Sequence, residues 1–459
     1  MFQKSLLRKF CLSYLGIGIS LYVFLLAYWG VGADVFNMVN VITLLAYGFL
    51  IWLSCNKHDD FYSGSRLCLV VFIYSVIFVL LFWLVSDYYT GNTFLFSERD
   101  ARKYERYSMA MKDMDFDEAW LYISHRWNYD DWGAPMSMAF ILKLVPSKVF
   151  LNFCYVLMNT ISACCLFDIA KRVMMVQYAY ISTLVYAISS YSIFFQGCFL
   201  KEEIMVFWVI LSFFSFYRYW YSRNVMWLVS ALFAALLLLY FRPAVMLLLF
   251  GGYMSLFLLG EKQSPRRFLF LMVVLAGVLV VSTLVQSVAD RYVAGGNVSE
   301  THIFKATSTF QKMGVAVGAL IGPFPQLFAF ADNVNKVPFH STGIFFKFML
   351  FAPFWTGLIY AIRSKAYVVF PIFVFSVFET LALIAVFELE IRKFMPHIPF
   401  FIIGAFWYMS QFDEDADDEI QRTPYYVRVN RLMNVSIVVV FIVSLAWNIL
   451  RTGHGSASL

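Results

Sequence analysis

Charge is scarce in this 459-residue chain, with Asp, Glu, Lys and Arg making up 14% of it, against about a quarter in a typical soluble domain. That deficit, together with 61% hydrophobic and 20% aromatic residues and a mean hydropathy of +0.71, excludes a soluble globule and leaves an integral membrane protein. Cysteine is sparse too. Cys11, Cys55, Cys68, Cys154, Cys164, Cys165 and Cys198 all lie in or at the edge of apolar runs, none in a long polar loop and none at metal-type spacing. Disulfides and zinc are therefore not expected. The chain also lacks tandem repeats, a separate soluble domain, a Gly-rich phosphate loop and any nucleic-acid motif, so no nucleic acid is expected as a partner. Short alternating segments of the membrane-barrel kind are missing as well.

What the chain has instead is a succession of apolar runs, each long enough to cross about 30 Å of hydrocarbon as a helix. The expected fold class is all-α, a polytopic transmembrane helix bundle. Spans are expected near 11–30, 36–54, 67–86, 150–170, 177–198, 204–217, 226–241, 244–260, 268–287, 342–362, 367–387, 397–411 and 433–450, about thirteen in all. The first run follows Lys4, Arg8 and Lys9 as a signal peptide would, but no convincing small-residue cleavage site follows it, so it reads as a retained helix. Lysine and arginine recur in alternate connections: residues 55–66, Lys171 and Arg172, 217–223, 261–267, Arg363 and Lys365, and Arg422, Arg428 and Arg431. Placing that set in the cytoplasm satisfies the positive-inside rule and puts the N-terminus inside.

The apolar run 313–330 breaks this alternation. It carries Gly314, Gly318, Gly322, Pro323 and Pro325 and reads as a re-entrant or membrane-surface segment, since broken backbone at membrane depth needs protein or a wet cavity to satisfy it. The expected organisation is a three-span segment at 1–86, an extracytoplasmic loop at 87–149, a central bundle at 150–287, a second extracytoplasmic loop at 288–341 and a C-terminal bundle at 342–459. The acidic run at 413–419 reads as a solvated cytoplasmic linker.

The first outer loop holds the candidate chemistry. In "RDARKYERYSMAM" (99–111), helical spacing puts Asp100, Tyr104, Tyr107 and Met111 on one face and Arg99, Arg102, Lys103 and Arg106 on the neighbouring one. Ser97 to Asp100 also matches a capping box, so Asp100 is either a cap or a catalytic acid. Farther on, Asp130 and Asp131 sit among Trp127, Tyr129 and Trp132, a mixture that suits a sugar, whose apolar faces stack on rings while its hydroxyls bond to acids. Such aromatics are equally what membrane interfaces carry. On the same side, Lys201, Glu202 and Glu203 occupy one short turn and Arg242 another. Ionisable residues at span ends snorkel, pair or act. Arg242 either pairs with Glu202 or Glu203, or joins Lys201 in holding a lipid-linked phosphate.

Five stretches, "RDARKYERYSMAM", "YDDWGAPMSMAFILKLV", "LKEEIMVFWVILSFF", "YFRPAVMLLLF" and "IRKFMPHIPFFII", together resemble the GT-C superfamily of membrane glycosyltransferases, which take sugars from polyprenyl-phosphate carriers. The resemblance covers roughly residues 87 to 410. It implies an acid of the first large outer loop as base or metal ligand, which maps to Asp100, with Asp130 or Asp131 second. It implies carrier-phosphate contacts from Lys201 and Arg242, and further from Arg392 and His397. Tyr104, Trp127, Trp132 and Glu202 are the further substrate-binding candidates, read from the residues themselves. In many members the acidic loop follows the first span, whereas here it follows the third.

Three functions fit this reading. One is transfer of a sugar from a polyprenyl-phosphate carrier to an envelope glycan or lipid, in a bacterial inner membrane and beside envelope-glycan assembly proteins. Another is a repeat-unit polymerase of surface polysaccharide, centred on Arg291, His302, Lys305 and Lys312 of the second loop. The third is a flippase or transporter, for which repeats and mid-span charges such as Glu379 would be the signature. A divalent metal ion could assist the phosphate, though no ligand spacing in the sequence names one.

Overall fold

The computed structural model describes residues 35–55, 59–94, 99–127, 131–259, 347–385 and 391–414, with single positions and shorter pieces within 12–23, at 57, and within 318–321 and 427–446. Among the described residues the chain is all-helical, 86% helix with no strand. The second outer loop with Arg291, His302, Lys305 and Lys312, the span at 268–287, nearly all of the re-entrant segment, most of the acidic run, Ser97 and Asp130 lie outside the described residues.

The helices follow the apolar runs closely. They are α1 (Val35–Ser54), α2 (Gly64–Thr90), α3 (Arg99–Met111), α4 (Phe116–Ser124), α5 (Gly133–Leu144), α6 (Lys148–Ala170), α7 (Val176–Ala187), α8 (Ser190–Gly197), α9 (Glu202–Ser222), α10 (Val225–Leu237), α11 (Pro243–Leu259), α12 (Phe351–Ser364), α13 (Phe370–Ala385), α14 (Ile391–Phe394) and α15 (Ile398–Glu414). Polar residues at their starts do the capping: the Ser63, Ser147 and Asn224 side chains accept from the Arg66, Phe150 and Met226 amides, which would otherwise lack an intrahelical partner. Gly91 ends α2 at φ 64°, a left-handed turn that glycine adopts without strain.

Among the described residues three helices, α2, α6 and α9, are long and apolar enough to cross a membrane, and α7 with α8 makes a fourth if that bent pair counts as one span. Along α2, Leu69, Ile73, Ile77, Leu80 and Leu84 recur every three or four residues and all stay exposed. An apolar stripe of that length left in water would be an aggregation site, whereas lipid covers it at no cost.

The centre of the bundle is the broken helix. Chain direction changes by 48° between α7 and α8, and from Gln177 through Gly197 every residue is buried. Helix α6 packs along one side of it and α15 along another, α2 closes over α8, and α9 packs on α6 and α10. The backbone freed at the end of α8 is satisfied by side chains: the Gly197 carbonyl accepts from Trp83 Nε1 at 3.1 Å and from Asn152 Nδ2 at 3.3 Å. Asn159 serves the break itself, donating to the Ala187 carbonyl at 2.9 Å and accepting from Ser192 at 3.3 Å. A helix can be interrupted inside an apolar bundle only with partners of this kind.

The expectation of no disulfide is overturned. Cys68 of α2 and Cys164 of α6 are joined, with Cα atoms 6.4 Å apart. The two helices pack face to face and bring together cysteines that are 96 residues apart in sequence. Nothing in cysteine spacing along two apolar runs signals that contact, because it depends on how the helices are rotated against each other.

At one end of the bundle Asp168 gathers three cations: Lys171 at 3.0 Å, Arg172 at 2.9 Å and Arg218 at 3.0 Å. These basic residues come from the connections expected on a single side of the membrane. Replacing Asp168 with Asn should lower the stability of the purified protein by about 1 to 2 kcal/mol, the range for charge-assisted bonds at a partly exposed helix end. Thermal unfolding in detergent reads this, and an unchanged midpoint would mean that the three cations are held by solvent rather than by the carboxylate.

Candidate functional site

The opposite end of the bundle carries a small helical cap built from α3, α4 and α5. Helix α3 shows the two faces its spacing predicts, with Tyr104 and Met111 buried and Arg102, Lys103 and Arg106 exposed. The rest of the expected loop is also folded. Asp115 starts α4 through a reciprocal capping box, its side chain accepting from the Glu118 amide at 2.8 Å while Glu118 accepts from the Asp115 amide at 3.3 Å. Met111, Ala119, Ile123 and Ala139 form a separate small core against which Tyr107, Trp127 and Trp132 pack. Two contacts seat the cap on the bundle. Lys148 at the start of α6 pairs with Glu105, and Gly133 at the start of α5 lies so close to Phe241 that an added Cβ would stand 2.5 Å from the ring.

Held in this way, the cap aims its acids at cations from distant parts of the chain. Arg392 Nη1 donates to Asp100 Oδ2 at 2.6 Å, closing a separation of 292 residues. Asp131 accepts from Lys201 Nζ and from the Tyr104 hydroxyl, the latter at 3.3 Å. Lys201 also donates to the Phe241 carbonyl at 3.0 Å. Arg242 lies 4.0 Å from Glu202 and has Glu379 of α13 as a second electrostatic neighbour. Glu202 and Glu203 form the first turn of α9 and are each only 1% exposed.

Tyr104 stands at the middle of this arrangement. Burial first, and then the Asp131, Glu202 and Asp100 carboxylates, push its phenol well above the usual tyrosine range, while Arg392 works weakly the other way. The group stays neutral and can keep donating to Asp131. An aromatic wall adjoins it. Trp127 lies 5.1 Å from both the Tyr104 and Tyr107 rings, and Trp132 donates from Nε1 to the Trp127 carbonyl at 2.8 Å. Trp132 also stands edge-on to Trp120 at 4.7 Å and stacks on Tyr240 at 6.5 Å.

The structure thus assembles Asp100, Tyr104, Trp127, Asp131, Trp132, Lys201, Glu202, Arg242 and Arg392 at one end of the bundle. Asp130 lies outside the described residues. His397 is buried immediately before α15 and faces Phe394 and Phe401 rather than the acids. Of the arrangements open for Arg242, the structure shows the one facing Glu202, while Lys201 faces Asp131. Asp100 meets the Arg392 guanidinium. Sequence reasoning missed Lys347, the Phe241 carbonyl and Tyr240. Lys347 did have a signal, as a lone charge inside "IFFKFMLF". Among the described residues no group of three or more His, Cys, Asp or Glu is placed to hold a metal ion.

No protein-family model and no curated protein matches this chain, so its chemistry has to be read from these contacts.

The Asp100–Arg392 pair joins the cap to α14, and both side chains are about a third exposed. A double-mutant cycle with Asp100→Ala and Arg392→Ala should give a coupling of about 1 kcal/mol in thermal stability. Strictly additive losses would show that the pair does not hold the cap down.

Proposed function

We propose that this protein is a glycosyltransferase of the GT-C kind, moving a sugar from a polyprenyl-phosphate carrier to an envelope glycan or lipid. One observation supports the reading above the others: acids of the cap, Asp100 and Asp131, meet Arg392 and Lys201 beside an aromatic wall at one end of an apolar helix bundle. Glycosyl transfer from a phosphate needs a base for the accepting hydroxyl and positive charge for the departing phosphate. Both are present within one cluster.

In this mechanism the acceptor oxygen forms a bond to the anomeric carbon as the bond from that carbon to the phosphate oxygen breaks. Asp100 takes the acceptor's proton, and Arg392 orients its carboxylate. The phosphate leaves with the bonding electron pair and meets the cations of the site, Lys201 and Arg242 among them. Asp131 is the second acid, kept in place by Tyr104 and Lys201. Trp127 and Trp132 offer rings for the sugar's apolar face, and Glu202 is the candidate acceptor for one of its hydroxyls. A divalent metal would add Lewis-acid help at the phosphate.

The proposed setting is a bacterial inner membrane, with about thirteen spans, a cytoplasmic N-terminus, and the cap and second loop outside. Reporters fused after Asp115 and after Lys262 should read extracytoplasmic and cytoplasmic respectively. A second reading, an ion-coupled transporter, draws on the broken span α7–α8 and the buried Glu203 beside it, whose Oε2 has no hydrogen-bond partner among the described residues.

Asp100→Asn should leave abundance near normal and lower transfer about a hundredfold or more, since an amide accepts hydrogen bonds but is no general base. Asp131→Asn should have a smaller effect. The readout is the pool of lipid-linked intermediates and unmodified acceptor in cells carrying each variant. Normal product from both variants would exclude the proposed mechanism, and single repeat units accumulating on the carrier would point to a polymerase.

A further inference from the structure

The cations that the site holds against its acids are matched: Lys201 with Asp131, Arg242 with Glu202 and Arg392 with Asp100. Lys347 differs from all of them. It is 1% exposed, and its Nζ has no hydrogen-bond partner and no carboxylate within ion-pair distance among the described residues. The amine faces two rings instead, with Phe401 at 4.4 Å and Phe394 at 5.2 Å from ring centroid to Nζ. Ring faces stabilise a cation, but they leave its N–H donors unused.

A second basic side chain shares the box. His397 is fully buried and neither ring nitrogen has a partner among the described residues. Its ring lies 5.4 Å from that of Phe394 and 6.3 Å from that of Phe401, and Lys347 is its electrostatic neighbour. His397 also starts α15, its carbonyl accepting from the Phe401 amide at 2.8 Å. The 17-residue helix α15 begins next to His397. An amine and an imidazole converge there beside a helix N-terminus, and among the described residues no acid answers them. Uncompensated donors are expensive when buried, and an oxyanion would satisfy both side chains.

We propose that Lys347, His397 and the N-terminal turn of α15 form a buried anion site that takes a phosphate group. The short helix α14 links it to the acids, because Arg392 reaches Asp100 while Phe394, on the same helix, walls the box. This deepens the transferase reading and rests on it for one point, that the phosphate belongs to the carrier. Free phosphate has the same chemistry, so the test must separate the two sources.

The full chain in lipid nanodiscs is titrated with a short-chain isoprenyl phosphate, with the matching isoprenyl alcohol and with inorganic phosphate. The expected result is that the isoprenyl phosphate binds and the alcohol does not. Lys347→Met, which keeps the length and apolar bulk of the side chain, should weaken that binding tenfold or more, and Lys347→Arg should recover part of it. If only inorganic phosphate binds and Lys347→Met abolishes it, the anion site stands and the carrier reading fails. Wild-type protein that binds neither phosphate, or a Lys347→Met protein within twofold of wild type for both, would overturn the site. Should Lys347→Met fail to accumulate, His397→Asn probes the same box from its other wall, and unchanged binding there would overturn the proposal equally.

Discussion

In a chain this apolar, an ionised side chain removed from bulk water costs several kcal/mol unless it meets an opposite charge or a dense set of dipoles. Both ends of the bundle are organised by that cost. At one end Asp168 draws together Lys171, Arg172 and Arg218. At the other, three separate carboxylate and cation encounters link the cap, the start of α9, the connection before α11 and α14. Helix packing alone leaves the position of a small polar cap on a greasy bundle poorly specified. Charges that have few other partners specify it.

The central interruption contributes as much. No single straight helix runs from Val176 to Gly197. The bend between α7 and α8 and the turn after Gly197 instead deliver Lys201 and Glu202 beside Asp131 and Arg242. The break survives because Asn159, Asn152 and Trp83 supply the hydrogen bonds that the helix gives up. Polar residues buried among helices thus position an ionic cluster that they do not touch.

A site made of matched pairs has a chemical consequence. A carboxylate already bonded to a guanidinium or an ammonium is oriented by that partner. Under the proposed transferase reading, the hydroxyls and phosphate of a substrate exchange partners with these pairs. The neutral Tyr104 phenol can follow such an exchange, since it donates to Asp131 without adding charge. The unmatched box at Lys347 and His397 is the counterpart, where a negative group would arrive to complete the balance.

Composition and hydropathy alone were enough to give the helical character and the approximate helix limits of the described residues, because the length of an apolar helix is a local property. The two faces of α3 were equally legible, since helical periodicity is a local property. The sequence also singled out Asp100, Asp131, Lys201 and Arg242 as charges in an otherwise apolar chain, and Arg392 through the family resemblance. Which charge meets which was decided only in three dimensions, as was the Cys68–Cys164 link. Contacts across 292 and 96 residues depend on the rotation and tilt of packed helices, which no local pattern encodes. Lys347 passed unnoticed for the same reason: a lone lysine in an apolar run looks like a snorkelling side chain until the rings of Phe394 and Phe401 are seen to enclose it.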